Sequence, residues 1–456
     1  MEDTDMNKIT VDIGRRLGKI KPLHCVNNGP ACQSNSNLED TNFYLYKELN
    51  IPYARNHDAS FYAQYGLNHT VDVNMIFPCF DADENDPASY DFTCTDDYIK
   101  MTEAAGTHHF YRLGTRIEHE IKKYGTVMPP DFHKWARICE HIIMHYTEGW
   151  ADGFHYDMPY WEIWNEPDLN ADDAANKRCW SGTAKDFYEL FNVALVHLKS
   201  RFPHLKIGGP AVAKGALDDT WIRGLFDTLG DVKPDFFSWH IYFDRIENML
   251  GKAKRMRDLL DEYGMTECES ILNEWNYVRG DCWSGPWRNY AIDVRTGSGI
   301  KCSSYTAAAI LAAQSSSIDM LMLYDARPSS WCSLFKPYMN NVPLKTYYSL
   351  LMFSKLYLAG TELYSETEGD DIYAVAATDD KDSFVMLTHY NDDDSKESKS
   401  VELCLDGIDT DATLEIYTLD PEHSMELTHT ERVSAGSKLM MLDLPLYTTL
   451  LVKIIK

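Results

Sequence analysis

The strongest constraint on the fold is a long alternation of short apolar segments with longer segments of helical periodicity, from about residue 18 to 360. This pattern is typical of βα units around a parallel sheet. Strands are predicted at 20–26, 51–57, 71–77, 108–114, 159–164, 205–210, 235–242, 269–274 and 318–324. A (β/α)8 TIM barrel takes eight strands. One of the nine segments is therefore expected to be peripheral, and we assign that place to 71–77.

Four longer segments have apolar residues at three- and four-residue steps, the spacing of an amphipathic helix. They are 131–149, 183–202, 246–264 and 302–316. Thr183 followed by Asp186 is typical of a helix N-cap with an acidic residue in the first turn. These helices are expected to cover the barrel strands from outside.

After about residue 360 the pattern changes to alternating strands separated by polar turns, which predicts an antiparallel β-sandwich. The chain is thus predicted to be an α/β protein with three parts. Residues 1–17 contain the strand ITVDIG, which is expected to join the sandwich; residues 18–360 form the barrel; residues 361–456 form the sandwich. The acidic loop 391–400 is expected to be a solvated turn.

The charge balance restricts the partners of the protein. Seventy acidic against 43 basic side chains give a formal charge of −27, which repels nucleic acid and anionic lipid and favours a neutral small molecule or oligosaccharide. No apolar run approaches the length of a membrane span, and MEDTDMNKIT lacks the basic and apolar regions of a secretory signal. We therefore expect a cytoplasmic protein that binds neither nucleic acid nor membrane.

The cysteines and histidines give no sign of a metal or cofactor. Eleven cysteines are scattered without a CxxC pair, as expected of buried thiols in a reducing compartment. His108, His109 and His119 do not have regular ligand spacing. The sequence therefore predicts no metal and no cofactor.

Two glutamates lie where predicted strands end. Glu166 lies in YWEIWNEPDL and Glu274 in ESILNEWNYV, 108 residues later, each beside tryptophans. Active sites of parallel barrels lie at the carboxyl ends of the strands, so the two side chains could face each other there. A facing pair, one carboxyl protonated and one ionised, is what glycoside hydrolysis requires. Each glutamate taken alone could equally be a surface or ion-paired carboxylate.

WEIWNEPDL resembles the Asn-Glu-Pro signature of the clan A (β/α)8 retaining glycosidases. ILNEWN resembles the nucleophile segment of glycoside hydrolase family 39, the β-xylosidase and α-L-iduronidase family. The likeness extends over most of 18–360, and the sandwich also fits the family. The resemblance implies that Glu166 is the general acid/base and Glu274 the nucleophile. It also implies that Asn165 hydrogen-bonds the sugar 2-hydroxyl.

Further segments extend the resemblance. SWHIYFD resembles the sixth strand of the clan, which places Tyr242 beside the nucleophile and His240 near the acid/base. YARNHDASF resembles the second strand of the family, where Arg55 would orient Glu274 through a hydrogen bond and His57 would reach the sugar. Without the family, Tyr242 and His240 would be packed core residues and Arg55 would form a structural salt bridge.

The eighth strand departs from the family pattern, because LMLYDARPSSW replaces the usual tryptophan and acidic loop. Tyr324 or Trp331 is expected to supply the stacking platform, and Asp325 to bind hydroxyls. Trp283, in RGDCWSGPWRNY, is a candidate for the rim of the sugar site, with packing of the loop on its own domain as the alternative.

The sequence thus predicts a retaining glycoside hydrolase acting on a neutral glycoside, with β-xyloside favoured. Iduronidase, arabinosidase, β-glucosidase and transglycosidase activities stay open, as does a non-catalytic carbohydrate-binding barrel. An iduronidase needs a cation for the substrate carboxylate, and Arg327 or Arg288 could supply it. Retention predicts carboxyl groups about 5–5.5 Å apart. Oligomeric state is not predicted, and a homo-oligomer stays open.

Overall fold

A closed eight-stranded parallel barrel forms the larger part of the protein. The computed structural model describes residues 7–30, 41–57, 71–279, 299–327, 333–336 and 339–456. After β1 (Asn7–Lys19), the barrel strands are β2 (Cys25–Asn27), β3 (Tyr53–Arg55), β4 (His108–Leu113), β5 (Tyr160–Ile163), β6 (Lys206–Val212), β7 (Phe236–His240), β8 (Glu269–Trp275) and β9 (Met320–Leu323). Pairing of β2 with β9 closes the barrel. The predicted barrel is therefore confirmed.

The helices lie between the strands and include the four predicted ones. Their bounds are α1 (Phe43–Glu48), α2 (Val73–Ile76), α3 (Thr93–Ala104), α4 (Phe132–Thr147), α5 (Ala184–Arg201), α6 (Thr220–Thr228), α7 (Ile246–Glu262), α8 (Ile300–Gln314) and α9 (Lys345–Ala359), with a 3-10 turn at Pro87–Ser89. The predicted cap of α5 is a reciprocal capping box between Thr183 and Asp186.

The segment 71–77 is outside the barrel, as expected, but the prediction that it is a strand is wrong. It contains the single helical turn α2. Val73, Ile76 and Phe77 are all buried, and their spacing of three and four residues lets one face of a helical turn bury them together. Alternation alone could not separate the two conformations in so short a run.

The barrel interior changes from apolar to polar toward the carboxyl ends of its strands. Its lower layer is the apolar cluster of Cys25, Phe110, Tyr160, Phe236, Ile271, Met320 and Met322. Because side chains of a strand alternate between two faces, the residues two positions later also point inward. On five of these strands they are the buried polar residues Asn27, Arg112, Glu162, Ser238 and Asn273. This polar layer is the floor of the candidate site.

The second unit is a mostly antiparallel sheet of nine strands. It contains β1 with β12 (Thr361–Glu368), β13 (Ile372–Thr378), β14 (Asp382–His389), β15 (Lys399–Ile408), β16 (Ala412–Leu419), β17 (Ser424–Val433), β18 (Gly436–Leu444) and β19 (Thr449–Ile455). A separate hairpin pairs β10 (Phe335–Lys336) with β11 (Met339–Pro343). Strand β1 lies between β12 and β15 and is parallel to β15. One apolar core cluster includes residues of β1 and of every strand from β12 to β19.

Most of the acidic loop 391–400 is exposed, as expected of a solvated turn, but part of it also contacts the barrel unit. Asp392 accepts a hydrogen bond from Tyr277 of the barrel unit, and Lys301 of α8 forms ion pairs with Asp392 and Asp394. These partners are about a hundred residues away in the sequence, so charge composition alone could not show that the loop is docked.

No helix of the described part of the chain combines the length and apolarity needed to cross a bilayer.

Candidate active site

The backbone after β5 turns sharply and carries Glu166 to the mouth of the barrel. Trp164 and Glu166 have φ angles of 77° and 47°, in the left-handed region that non-glycine residues rarely occupy. The amide of Trp164 donates to the carbonyl of Leu113 (2.6 Å), and the amide of Glu166 donates to the carbonyl of Ala211 (3.0 Å). The neighbouring strands therefore hold this unusual backbone, as is common at functional sites.

Gly209 lets β6 lie close enough to the end of β5 to support the turn that carries Glu166. Its φ is 129°, and a Cβ at this position would lie 2.8 Å from the carbonyl oxygen of Ile163. A larger residue would push β6 away from the turn that carries Glu166. The segment KIGGPAV thus pairs with β5 and β7 in the barrel and also supports the turn that carries Glu166.

Glu166 and Glu274 face each other across the mouth. One carboxyl oxygen of each lies within 4.8 Å of the other and of Nδ1 of His240. Nδ1 of His240 is 2.9 Å from Glu166 Oε1 and 3.4 Å from Glu274 Oε2, so it bridges the pair. Retaining glycosidases have carboxyl groups about 5–5.5 Å apart, whereas inverting enzymes leave about 6.5–9.5 Å for a water molecule. The observed separation suits the retaining geometry.

The surroundings of Glu166 favour its protonated form. Its side chain is only 14% exposed. Burial raises the pKa of Glu166 above its ordinary value, although His57, Arg55 and Arg178 oppose the shift. Burial also lowers the pKa of His240 to about 4. His240 is therefore neutral at neutral pH and adds no full charge to the site, which leaves Glu166 suited to carry a proton.

A hydrogen-bond donor and two basic side chains lie beside the carboxyl group of Glu274. The hydroxyl of Tyr242 donates to Oε1 at 2.6 Å. Nη1 of Arg55 and Nε2 of His57 each lie 3.7 Å from Oε2. A short donated hydrogen bond and a nearby guanidinium stabilise negative charge. The two carboxyl groups thus differ in one respect: Glu274 accepts a short hydrogen bond from Tyr242, whereas burial raises the pKa of Glu166. A difference of this kind suits the division between a nucleophile and an acid.

Arg55 acts differently from the sequence prediction. Its hydrogen bonds go to Glu162 (Nε, 2.6 Å), to Asn165 (Nη2, 2.6 Å) and to Asn27 (Nη1, 3.1 Å). The expected hydrogen bond to Glu274 is instead an ion pair at 3.7 Å. All three guanidinium nitrogens thus donate hydrogen bonds to protein groups, so Arg55 positions other residues of the site. Its ion pair with Glu162 also agrees with the alternative prediction that Arg55 forms a structural salt bridge.

Glu162 is the partner that makes the buried arginine possible. Its Oε1 accepts from Ser238 Oγ (2.6 Å) and Asn273 Nδ2 (2.5 Å), while its Oε2 accepts from Arg55. Neither Glu162 nor Arg55 is exposed. Glu162, Ser238 and Asn273 were not among the predicted site residues. The sequence did contain a signal for them. Each follows an apolar barrel residue by two positions, and in a strand this spacing places both side chains on the inward face.

Asn165 presents an amide donor to the pocket. Arg55 donates to its Oδ1, which fixes the orientation of the amide group. Its Nδ2 is buried and has no hydrogen-bond partner among the described residues. A buried donor without a partner is costly, so this group is suited to a hydroxyl of a bound ligand.

The end of β9 brings Tyr324 to the site but places Asp325 in an ion pair. The Tyr324 ring is edge-on to that of His57, with centroids 5.5 Å apart. Asp325 is fully buried, and its Oδ2 accepts from Arg327 (2.7 Å) and Asn28 (3.1 Å). Arg327 also donates to the hydroxyl of Tyr324 (3.0 Å). The carboxylate of Asp325 is therefore part of an internal network.

Two predicted aromatic contacts lie outside the described residues. They are Trp283, after β8, and Trp331, after β9. Arg288, named as a partner for a substrate carboxylate, lies there too. The roles of these three residues stay predictions.

The spacing of Glu166, His240 and Glu274 also fits a metal ligand set. Among the described residues, these three side chains can bring one ligand atom each to within 4.8 Å of the other two. Arg55 and His57 lie beside Glu274, however, and a guanidinium at 3.7 Å disfavours a second cation. The arrangement fits paired carboxyl chemistry better than metal ligation.

Comparison with known proteins agrees with this geometry. The model of the family described as glycosyl hydrolases family 39 matches residues 7–383. A β-xylosidase of Caldicellulosiruptor saccharolyticus is 29% identical over 278 residues, which cover 56% of this chain and 52% of that protein. A β-xylosidase of Geobacillus stearothermophilus is 28% identical over 176 residues, which cover 37% and 32%. The matched segment thus spans about half, or less, of these relatives.

Solved structures match over nearly the whole chain and show the fold. A glucosidase from Croceicoccus marinus superposes with a TM-score of 0.82 at 19% identity, covering 99% of both chains. A monomeric β-xylosidase from Caulobacter crescentus CB15 gives 0.67 at 14% identity, covering 98% of this chain and 99% of that one. With the family model matching most of the chain, the resemblance noted in the sequence is confirmed: this protein belongs to glycosyl hydrolase family 39.

Proposed function

We propose that this protein is a retaining glycoside hydrolase of neutral glycosides, and specifically a β-xylosidase. Glu166 is the general acid/base and Glu274 is the nucleophile. The observation that carries the proposal is the separation of at most 4.8 Å between their carboxyl oxygens, bridged by His240. The hydrogen bond from Tyr242 to Glu274 and the raised pKa of Glu166 add to it.

The first step breaks the glycosidic bond. An oxygen of Glu274 attacks the anomeric carbon while Glu166 gives its proton to the departing oxygen, which leaves as an alcohol. The second step breaks the glycosyl ester. Glu166, now a carboxylate, takes a proton from water as that water attacks the anomeric carbon, and Glu274 leaves as a carboxylate. Two inversions give net retention.

The neighbouring side chains support these steps. Tyr242 holds Glu274 through the 2.6 Å hydrogen bond, so its attacking oxygen has a fixed direction. Asn165 donates from Nδ2 to the 2-hydroxyl of the sugar. His57 and His240 contact other hydroxyls. Tyr324 or Trp331 supplies the aromatic face on which the sugar ring stacks, and Trp283 contributes to the rim of the sugar site.

The charges of the site favour a neutral sugar over a uronic acid. Arg327 was a candidate to bind a substrate carboxylate, but it forms an ion pair with Asp325 at 2.7 Å, which neutralises its charge. Arg55 is engaged by Glu162. The chain carries a formal charge of −27, which repels an anionic substrate at long range. The relatives from Caldicellulosiruptor saccharolyticus and Geobacillus stearothermophilus are β-xylosidases, which supports xylose over other neutral sugars.

The direct test is turnover of aryl glycosides that differ only in the sugar. We expect hydrolysis of aryl β-xyloside above β-glucoside, α-arabinoside and α-iduronide, and loss of turnover in Glu274→Ala. Azide should restore Glu274→Ala by forming the glycosyl azide of inverted configuration. Unchanged hydrolysis by Glu274→Ala would reject the assignment of the nucleophile. No turnover of any glycoside, together with sugar binding, would favour a non-catalytic carbohydrate-binding barrel.

We assign the reaction to the barrel unit, residues 18–360, and treat 1–17 and 361–456 as the accessory unit. We also propose that the protein acts in the cytoplasm. Eight cysteines of the described residues are free thiols, which fits a reducing compartment.

A further inference from the structure

The chain segments that carry Tyr242 and Glu274 run side by side from the carboxyl ends of β7 and β8 into the loops that follow. The amide of Ile241 donates to the carbonyl of Glu274 (3.1 Å), and the amide of Val278 donates to that of Phe243 (3.2 Å). A parallel bridge joins Phe243 to Tyr277. We call these paired segments, 241–244 and 274–278, the strand extensions. A shift of either one changes the distance between the Tyr242 hydroxyl and the Glu274 carboxylate.

The sheet unit holds the outer end of both strand extensions. The hydroxyl of Tyr277 donates to Asp392 Oδ1 at 2.7 Å, and the hydroxyl of Tyr390 donates to the carbonyl of Asp244 at 2.5 Å. Lys301 fixes the acceptor, because its Nζ lies 2.6 Å from the Asp392 carbonyl and 2.9 Å from its carboxylate. One contact therefore acts on each extension, and both come from residues 390–392.

Packing restricts the two tyrosine rings that make these contacts. The ring of Tyr305 lies between them, 5.5 Å from that of Tyr277 and 5.4 Å from that of Tyr390. Tyr277, Tyr305 and Tyr390 are each at most 2% exposed. The hydroxyls cannot change partners without moving a packed ring, so the sheet unit and the strand extensions form one rigid contact.

We propose that Tyr277 and Asp392 are positioning residues for the nucleophile, and that the sheet unit thereby takes part in catalysis by the barrel. This inference rests on the proposed function, in which Glu274 attacks the sugar and Tyr242 directs it. Tyr277 is three residues from Glu274 and lies opposite the residue that follows Tyr242. Its hydrogen bond therefore sets the position of both groups without touching the substrate.

The test is Tyr277→Phe, which keeps the ring and removes the hydroxyl. Misplacement of a reacting group by about 1 Å costs on the order of a hundredfold in rate, so partial release of the extensions should lower kcat by about five- to tenfold. KM should change less than kcat because the sugar contacts remain. Asp392→Asn, which weakens the acceptor, should act in the same direction.

Tyr373→Phe is the matched control. The hydroxyl of Tyr373 also joins the sheet unit to a barrel residue, Glu247 at 3.5 Å, but that residue lies on α7 and not on a strand extension. We expect wild-type kinetics from this variant. Equal kinetics of Tyr277→Phe and Tyr373→Phe would overturn the inference, because the contact would then be ordinary interdomain packing.

A double-mutant cycle shows whether Tyr277 acts through the hydrogen bond of Tyr242. In a Tyr242→Phe background, loss of the Tyr277 hydroxyl should lower kcat by less than about twofold, since coupled residues are not additive. The same fold-loss in both backgrounds would overturn the inference. Wild-type and Glu274→Ala proteins are assayed in parallel. An inactive wild type or an active Glu274→Ala would reject the proposed function instead, so the two failures are distinguishable.

Discussion

Replacing Glu162 by glutamine should damage both stability and catalysis, although the change is one oxygen to one NH2 group. The carboxylate accepts from Arg55, Ser238 and Asn273 at 2.5–2.6 Å and is not exposed to solvent. A glutamine can accept with its oxygen only. Whichever way the amide is oriented, its NH2 group faces another donor, either Arg55 or Asn273.

The magnitude follows from the burial of the pair. Breaking a buried ion pair by removing one charge costs about 3–5 kcal/mol. Arg55 keeps its longer ion pair with Glu274 at 3.7 Å, so we expect the low end of this range, about 3 kcal/mol. A domain of more than 300 residues loses about 1–2 °C of Tm for each kcal/mol, so Tm should fall by roughly 3–6 °C. Arg55 would also release Asn165, so kcat/KM should fall by about tenfold or more.

The assay is thermal unfolding together with kinetics on an aryl glycoside, with Glu269→Gln as the matched control. Glu269 is on the same barrel, at the start of β8, and pairs with Lys206, but its side chain is 28% exposed and that of Lys206 is 41% exposed. An exposed pair contributes at most about 1 kcal/mol, so this control should keep near wild-type stability and kinetics. If Glu162→Gln behaves like Glu269→Gln, the buried pair does not organise the site.

Two further variants test the separate environments of the carboxyl groups. Tyr242→Phe should lower kcat by about 10- to 100-fold with a smaller change in KM, since a hydrogen bond to a charged group is worth about 1.5–3 kcal/mol. Tyr188→Phe is the control and should keep the wild-type kcat, because the hydroxyl of Tyr188 donates to the Trp221 carbonyl at 2.9 Å, away from the site. An equal loss of kcat in both variants would contradict the role of Tyr242. The Tm of Glu166→Gln should rise relative to that of the wild type as pH increases from about 4 toward neutrality. The reason is that the folded wild type, in which the pKa of Glu166 is raised, loses stability over this range, whereas glutamine does not titrate. A Tm difference that does not depend on pH would argue against burial of the Glu166 charge.

The sequence predicted the barrel well because the physical signal is periodic and repeated. All eight barrel strands overlap predicted segments, and the capping box at Thr183 has a local signature that needs no tertiary information. The run 71–77 failed because burial of Val73, Ile76 and Phe77 is compatible with either a strand or one helical turn. Strands β17 and β18, which are largely exposed, lacked the apolar alternation that marks a buried face and were not predicted.

The site was predictable in its motifs but not in its connections. Glu166 and Glu274 each follow a strand, and the fold brings them together. Which groups Arg55 binds could not be read from the sequence, because Glu162 is 107 residues away and its inward direction depends on the barrel register. The docking of Asp392 on Tyr277 is likewise a product of how two units meet.

The central claim is that Glu166 and Glu274 carry out a double displacement, and proton NMR of the first-formed sugar tests it most directly. With an aryl β-xyloside as substrate, signals of the β-anomer of xylose should appear first, followed by the α-anomer as mutarotation proceeds. Prior appearance of the α-anomer would mean inversion and would contradict the assignment of Glu274 as nucleophile, whatever the distance between the two carboxyl groups.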